Sequence, residues 1–346
     1  MKKVISFLFS CLLLFAAFGQ PANATTFSDI QNTFAKNYIE TLGQQGVISG
    51  FPDGTYRPNN PIKRSEFAKM LALALDLPLN EESASSFTDV PNWAKPYVGA
   101  LVDAEITNGK KPGQFGSDLP ITRQEMIIMF VRAMGFEEFA HFLYLPSEFA
   151  DEGEISTTAY PYVSFAEHMG FAEGNLDNEF MPLENGTRAA AAKWIYFFVN
   201  ESDKYFSNAL TLIAVNTVDN IQQVELIDDF TVEVTYMDHT TEEVSLFDFI
   251  IEMGFRLQYF ELSYFYGSDW NTFTDDEKDE LLDFIVIYWT SEWSDFNLLV
   301  SEEEAISQLK DGLNTHFANV KNEDDILLEQ IETIGLENGI IELINE

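Results

Sequence analysis

Cysteine and positive charge are both scarce in this chain of 346 residues. Cys11 is the only cysteine, and 19 Lys and Arg stand against 57 Asp and Glu, which gives a formal net charge of -38. A single thiol excludes a disulfide framework within the chain. Nucleic acid is excluded as a partner, because phosphate binding needs a basic surface. We expect the acidity to favour solubility and to attract cations.

The chain also lacks the common catalytic and metal-binding motifs. It has four histidines but no His-Glu-x-x-His, no Gly-x-Ser-x-Gly and no glycine-rich phosphate loop. The acidic run at 275–280 lacks the alternating ligands and the central glycine of an EF-hand. It favours a solvated helix start over a calcium site. We therefore predict no catalytic residue, no metal and no cofactor, and we expect that the protein is not an enzyme.

A short apolar run opens the chain. Lys2 and Lys3 precede it, the run covers 4–18, and Ala22-Asn23-Ala24 follows as a small-residue cleavage site. This order predicts a signal peptide over 1–24. Its removal would take Cys11 with it and leave a secreted chain without a transmembrane segment.

The chain contains a threefold internal repeat. In each copy, a tyrosine is followed at fixed distances by a glycine, an aromatic residue and an arginine, and an upstream Phe-x-Asp motif precedes it. The three series are Phe27, Asp29, Tyr38, Gly50, Tyr56, Arg64; Phe87, Asp89, Tyr97, Gly109, Phe115, Arg123; and Phe149, Asp151, Tyr162, Gly174, Phe180, Arg188. This shared register indicates internal duplication, and we name the repeats copy one, copy two and copy three.

Each copy is predicted to fold as two helices joined by a turn-rich loop. Apolar spacing places one helix at the tyrosine and a second just after the arginine. Gly46 and Gly170 are suited to end the first helix, whereas copy two has Glu105 at that place. Thr122 and Glu125 are predicted to form a capping box at the second helix of copy two. Lys63 replaces the threonine in copy one, and Ala190 replaces the glutamate in copy three.

The arginine before each second helix has two interpretations. It can decorate a helix start, or it can bind a ligand through its planar guanidinium beside free helix amides. The capping residues vary between copies while Arg64, Arg123 and Arg188 recur. We therefore favour the ligand role, with a carboxylate or phosphate as the matching group.

These motifs resemble those of S-layer homology domains. The resemblance covers about residues 27–202 and is carried by Phe87-Thr88-Asp89-Val90, by Ile121-Thr122-Arg123-Gln124-Glu125 and by the loop at 50–58. It implies a pseudo-threefold helical bundle with grooves between the repeats. It also implies binding of an anionic secondary cell-wall polysaccharide bearing pyruvate ketals.

The resemblance implies a set of polysaccharide-binding residues. They are the arginines, the loop glycines, the groove aspartates and one aromatic residue: Arg64, Arg123, Arg188, Gly50, Gly109, Gly174, Asp29, Asp89, Asp151 and Trp93. Copy three lacks the motif glutamate, so we expect its groove to be the weakest. We expect Arg123 and Trp93 to share the tightest groove.

The domain boundaries follow from the repeat register and from a shift in composition. We predict a signal peptide at 1–24, repeats at 25–84, 85–146 and 147–204, and an acidic α+β domain at 205–346. This last part holds 32 acidic and four basic residues. Alternation over 223–247 predicts a β-hairpin with a turn at 237–240, and Thr274 and Ser301 are predicted to open helices.

The fold class is therefore mainly α, with a smaller α+β part. The predicted function is non-covalent anchoring of a secreted surface protein to the bacterial cell wall, with the acidic part displayed outward. Anionic wall polysaccharide is the expected partner, and other surface-layer proteins are further candidates. The alternative is an anchored cell-wall hydrolase, whose paired carboxylates would lie within 205–346.

Overall fold

The computed structural model describes residues 27–246 apart from 219 and 229, and then 249, 250, 253, 274, 278, 296–298, 302–319 and 341–343. The predicted signal peptide with Cys11 and the acidic run at 275–280, apart from residue 278, lie outside these ranges. Within them the chain is helix-rich, with nine α-helices, a three-stranded antiparallel sheet and a separate pair of strands. The prediction of a mainly helical chain with a small antiparallel sheet is confirmed.

Each copy forms the predicted pair of helices. The seven helices of 27–200 are α1 (Lys36–Gln44), α2 (Arg64–Ala74), α3 (Lys95–Asp103), α4 (Arg123–Ala133), α5 (Glu137–Leu143), α6 (Tyr160–His168) and α7 (Arg188–Asn200). The first helices are α1, α3 and α6, and the second helices are α2, α4 and α7. The short helix α5 between copies two and three was not predicted.

The first helices end on equivalent residues with left-handed backbone. Gly46 and Gly170 both have a φ of 76°, and Glu105 has a φ of 58° at the matching place. Glycine takes this conformation without steric cost, whereas a residue with a Cβ is strained there. Copy two therefore keeps the geometry of the other copies at an energetic cost.

The predicted capping box is only half formed in copy two. The Glu125 carboxylate accepts a hydrogen bond from the Thr122 amide at 2.9 Å. The Thr122 hydroxyl is buried and has no hydrogen-bond partner within the described structure. Copy three has the other half, because the Thr187 hydroxyl accepts from the Ala190 amide at 3.1 Å. The second helix of copy two is thus stabilised by one side-chain bond where the capping-box prediction had two.

The second helices pack through the apolar faces that the sequence predicted. The predicted residues of these faces are all buried: Phe67, Met70, Leu71, Ala74, Leu75, Met126, Met129, Phe130, Ala133, Met134, Ala191, Trp194, Ile195, Phe198 and Val199. Phe130 of α4 joins the three faces in the core. Its ring centroid lies 5.6 Å from that of Phe67, 6.3 Å from Trp194 and 5.4 Å from Phe198. Burial of large aromatic rings contributes strongly to a core.

The segments that lead into the second helices are hydrogen-bonded in a closed cycle. The Ile121 amide donates to the Ile62 carbonyl at 3.1 Å, and the Gly186 amide donates to the Ile121 carbonyl at 2.8 Å. The Ile62 amide closes the cycle on the Gly186 carbonyl at 2.9 Å. Each copy thereby satisfies backbone groups of the other two.

The first helix of each copy packs on the second helix of the preceding copy. Helix α3 lies against α2, α6 lies against α4, and α1 lies against α7. The rings of Tyr38 and Tyr196 are 4.9 Å apart at the last of these contacts. The same helix contact is therefore repeated between all three copies, and we call it the rule of contact.

Helix α8 (Ser202–Thr217) crosses the predicted boundary at residue 204. On one side the Asn208 amide donates to the Met169 carbonyl of copy three at 2.9 Å. On the other side the Thr211 hydroxyl donates to the Val224 carbonyl and accepts from the Val224 amide. The same helix thus contacts copy three and the sheet that follows.

The sheet consists of β1 (Ile221–Asp228), β2 (Thr231–Tyr236) and β3 (Thr241–Ser245) in the order β1-β2-β3. The predicted hairpin and its turn correspond to β2 and β3. The prediction was wrong to place 223–236 in one strand, because Asp228 accepts from the Phe230 amide at 2.8 Å in a turn that separates β1 from β2. The remaining elements are β4 (Phe296–Leu298), helix α9 (Glu302–Asn319), which confirms the predicted helix after Ser301, and β5 (Ile341–Leu343).

Candidate functional site

The three predicted aspartates hold the loops of their own copies. Asp29 accepts from the Tyr56 and Arg57 amides, both at 2.8 Å, and Asp89 accepts from the Phe115, Gly116 and Ser117 amides at 2.7 to 3.2 Å. Asp151 does the same with the Phe180 and Met181 amides, both at 2.7 Å. Both carboxylate oxygens of each aspartate are used in this way. The aspartates therefore position the loops, and their predicted contact with a ligand stays a prediction.

The three predicted glycines allow the loop to approach neighbouring atoms closely. A Cβ on Gly50 would lie 2.4 Å from the Phe27 ring, and one on Gly109 would lie 2.6 Å from the Phe87 ring. A Cβ on Gly174 would lie 3.1 Å from the backbone of Asn178. In copies one and two, the phenylalanine of the Phe-x-Asp motif thus packs directly on the loop glycine.

Each predicted arginine reaches from its own copy to the loop of the next. Arg188 donates from Nε to the Tyr56 carbonyl at 2.8 Å, and Arg123 donates from Nε to the Phe180 carbonyl at 2.7 Å. The Arg64 guanidinium lies 5.0 Å from the Phe115 ring centroid and donates to the Thr107 hydroxyl at 3.4 Å. Arg64 and Arg188 are both only 6% exposed, and Arg123 is half-buried. The recurrence of arginine is therefore explained in part by packing between copies.

A groove opens where all three copies meet. We name it the first groove; its volume is about 150 Å³, and it is lined by Val47, Ser49, Gly50, Phe51, Glu66, Lys69, Met70, Trp93 and Arg188. Copy one supplies the loop and helix α2, copy two supplies Trp93, and copy three supplies Arg188. The Trp93 side chain is 49% exposed although it is large and mostly apolar. An exposed indole beside two cations can accept a flat apolar ring face together with a negative charge.

The structure corrects the predicted pairing of Trp93 with Arg123. Trp93 shares the first groove with Arg188 and Gly50. Arg123 instead contacts copy three, with its guanidinium 4.9 Å from the ring centroids of Phe180 and Trp194. The sequence register orders residues within a copy, but it does not show which copies are neighbours across a groove.

By the same rule of contact, we name two further positions between copies from their equivalent residues. The second groove is the position where the loop of copy two at 106–110 and α4 meet Arg64, and the third groove is the position where the loop of copy three at 171–175 and α7 meet Arg123. At the position equivalent to Trp93, counted from the following tyrosine, copy one has Phe34, and copy three has Thr158. Phe34 is 67% exposed and precedes α1, the helix that packs on α7.

Sequence reasoning missed several charged residues beside the predicted arginines. Glu66 lies 3.4 Å from Arg188 in the first groove, and Lys69 lies 5.4 Å from the Tyr97 ring centroid. In the second groove, Glu125 lies 2.6 Å from the Lys110 ammonium and 3.7 Å from Arg64. One sequence signal could have indicated a charged groove: Lys69 lies three residues after Glu66 and outside the apolar face of α2.

The two cations of the second groove act on Glu125. Burial would raise the pKa of this carboxyl, but the Lys110 ammonium, the Thr122 amide and Arg64 together lower its pKa below the ordinary value. Glu125 is therefore held in its charged form in an ion-paired cluster.

The described residues contain no group of three or more His, Cys, Asp or Glu placed to hold a metal ion. Within the same ranges, no helix combines the length and the apolar character needed to cross a lipid bilayer.

A family model for the S-layer homology domain matches residues 26–68 and 86–127. The relatives include an endoglucanase of Bacillus sp. (strain KSM-635), 36% identical over 178 residues, and an amylopullulanase of Thermoanaerobacterium thermosulfurigenes, 32% identical over 180 residues. The S-layer protein EA1 of Bacillus anthracis is 27% identical over 173 residues. The matched stretches cover 50%, 51% and 47% of this chain, and 19%, 10% and 18% of the three relatives. The chain thus spans a fifth or less of these relatives.

The matched residues fall in copies one and two. They include both Phe-x-Asp motifs, both loops and the starts of α2 and α4. Copy three follows with the same register, the same aspartate-held loop and the same cross-copy arginine. Copies one and two therefore each contain a match to the S-layer homology domain, and copy three shares their register and contacts.

Proposed function

We propose that the repeats hold this chain on the bacterial cell wall by binding an anionic wall polysaccharide in the grooves between copies. The observation that carries the proposal is the first groove, where the exposed Trp93 lies beside Lys69 and Arg188. A sugar ring can stack on the indole, and a carboxylate such as that of a pyruvate ketal can pair with Lys69, since Arg188 already faces Glu66. The relatives named as S-layer proteins support a role at the cell surface.

The proposal includes a pseudo-threefold bundle of α2, α4 and α7. The closed cycle of hydrogen bonds through Ile62, Ile121 and Gly186 supports it, as do the ring contacts of Phe130 with both other second helices. In such an arrangement the three grooves lie around one axis. A long polysaccharide could then contact more than one groove of the same chain, which would raise its avidity.

We also propose that the acidic part at 205–346 has no catalytic role of its own. Several relatives are named as hydrolases, but the similarity to them is confined to the repeat region. Absence of a wall-lytic zone for residues 25–346, tested on purified walls, is the expected result. A clear zone would favour an anchored hydrolase.

Co-sedimentation with purified walls tests the anchoring proposal. We expect residues 25–346 to pellet with walls before extraction of the secondary polysaccharide and to stay in solution after it. Trp93→Ala should reduce pelleting about tenfold, because it removes the stacking surface. Leu79→Ala is the matched control, since Leu79 is 51% exposed and does not line the first groove. Equal pelleting with intact and extracted walls would contradict the proposal.

A further inference from the structure

The three grooves differ at the third residue of the second helix. Copy one has Glu66, with its Oε2 atom 3.4 Å from Nη1 of Arg188. Copy two has Glu125, with its Oε1 atom 3.7 Å from Nη1 of Arg64. Copy three has Ala190, which carries no charge. Arg64 and Arg188 thus face a glutamate at this position of the next copy, and the residue equivalent to these glutamates for Arg123 is Ala190.

The Arg123 side chain donates its hydrogen bonds to backbone carbonyls and not to a carboxylate. Its Nε donates to the Phe180 carbonyl at 2.7 Å, and its Nη2 donates to the Glu173 carbonyl at 3.3 Å. Among the described residues, no carboxylate lies within ion-pair distance of its guanidinium. Burial lowers the pKa of Arg123, and the more distant charges of Glu184 and Asp151 partly offset this. The guanidinium remains charged and keeps unused capacity to bind an anion.

In the second groove, by contrast, the arginine faces a carboxylate. Arg64 is 6% exposed, and its Nε and Nη1 atoms are buried with no hydrogen-bond partner in the described part of the chain. Glu125 already bridges Arg64 and the Lys110 ammonium. An incoming carboxylate would have to displace Glu125 and would meet its negative charge, which is costly at close range.

We propose that the carboxylate at this helix position is an internal competitor for the anionic ligand, so that the third groove is the primary anion-binding groove and Glu125 keeps the second groove closed. This inference rests on the proposed function, because it ranks the grooves for the same ligand. Lys193 of α7 lies beside the loop of copy three, where it pairs with the exposed Glu173 at 2.9 Å and can turn to a ligand. Phe34 occupies the position equivalent to Trp93.

The ranking reverses the expectation drawn from the sequence. Loss of the motif glutamate suggested that the groove of copy three is the weakest. Glu125 and Glu66, however, lie within reach of the arginines that the ligand would use. The substitution to Ala190 therefore removes a competitor while leaving the Thr187 hydroxyl bond to the Ala190 amide intact.

A pair of substitutions at Ala190 tests the proposal by isothermal titration calorimetry. The protein is residues 25–346, and the probe is a methyl hexopyranoside carrying a 4,6-linked pyruvate ketal, with the ketal-free sugar as reference. Ala190→Glu should weaken binding of the ketal by about tenfold or more through like-charge repulsion. Ala190→Gln has a similar shape without the charge and should retain affinity within about twofold.

A loss of folding is not expected to explain a difference in ketal affinity between these variants. A glutamate at 190 can accept from the Thr187 amide as Glu125 does from the Thr122 amide, so Ala190→Glu should keep or raise the melting temperature. Glu125→Gln should strengthen total ketal binding or add a second site, because it neutralises the competitor. Its capping bond can persist through the amide oxygen.

Each outcome decides the ranking. Equal affinity of wild type, Ala190→Glu and Ala190→Gln would overturn it while leaving anchoring intact, provided the wild type binds the ketal. Pelleting with walls but no ketal binding would also overturn it, because the ligand would then not be this anion. Failure of the wild type in both assays would remove the proposed function itself.

Discussion

The second and third grooves are built by the same rule and differ most at one helix position. Both use an aspartate to hold the loop, a glycine at its close approach and an arginine from the preceding copy. The second groove adds Glu125 between Arg64 and Lys110, whereas the third has Ala190. The comparison teaches that the residues that recur in all copies support the scaffold. Under the proposed ranking, the residues that vary decide which groove is open to an anion.

This comparison changes the meaning of the recurring arginines. Their persistence favoured a ligand role, but Arg64 and Arg188 are buried and join neighbouring copies. Removing them should affect folding first. Variants at the scaffold residues can therefore test whether scaffold and binding are separable.

The largest effect is expected for Arg188→Ala. It removes the bond to the Tyr56 carbonyl and leaves Glu66 without its partner in a mostly buried site. Breaking such a pair should lower the free energy of unfolding by about 3 kcal/mol. Arg123→Ala should cost less, about 1 kcal/mol, because Arg123 is half-buried and pairs with no carboxylate among the described residues. Urea denaturation measures both, and equal losses would contradict the difference between the grooves.

The next largest loss in the free energy of unfolding is expected for Gly109→Ala. Gly109 has a φ of 79°, and a Cβ would lie 2.6 Å from the Phe87 ring and 2.9 Å from the Gln114 carbonyl. Gly113 is the matched control, because it has a φ of 77° and a nearest neighbour at 3.8 Å. We expect losses of about 2 to 3 kcal/mol and about 1 kcal/mol, respectively. A loss at Gly109 no greater than at Gly113 would show that close packing against Phe87 does not matter.

Asp89→Asn should reduce stability in a manner that depends on pH. Burial opposes ionisation of Asp89, yet the amides of Phe115, Gly116 and Ser117 lower its pKa below the ordinary value. The stabilisation is therefore present above the unfolded pKa of about 3.9 and is lost as the pH falls through the lower folded pKa. Because Asp89 is exposed, we expect a modest cost of about 1 kcal/mol at neutral pH that shrinks as the pH falls from neutral through the unfolded pKa and below it. Chemical denaturation of both proteins across this range provides the test, and a constant difference would contradict it.

The smallest effect is expected for Glu105→Gly, and it should be favourable. Glu105 has a φ of 58° at the position where the other copies have glycine. Relief of this strain, partly offset by the greater freedom of unfolded glycine, should stabilise the chain by up to about 1 kcal/mol. A lower melting temperature would indicate that contacts of the Glu105 side chain outweigh the strain.

The sequence was sufficient to predict the helices of the repeats but not how the copies meet. Apolar spacing placed α2, α4 and α7 correctly, because each presents one buried stripe. It could not place Trp93 with Arg188, since that contact depends on the closed cycle of copies. Helix α5 was missed because the sequence between copies two and three has no counterpart in the repeat register.

Charge at the grooves was misjudged for a related reason. The glutamate of the motif was interpreted as a helix cap, which Glu66 and Glu125 are. Their second role beside an arginine of another copy arises only in three dimensions. In the same way, the turn at Asp228 depends on a local side-chain bond that strand alternation does not reveal.

The most direct test of the central claim is to observe the Trp93 indole during binding. Residues 25–346 labelled with ¹⁵N at the indole can be titrated with polysaccharide released from walls, and the Trp93 signal can be assigned with Trp93→Phe. The account predicts that the Trp93 N–H signal shifts in step with binding and that removal of the acidic substituents from the polysaccharide abolishes the shift. An unchanged Trp93 signal while the protein binds the polysaccharide would contradict recognition in the first groove.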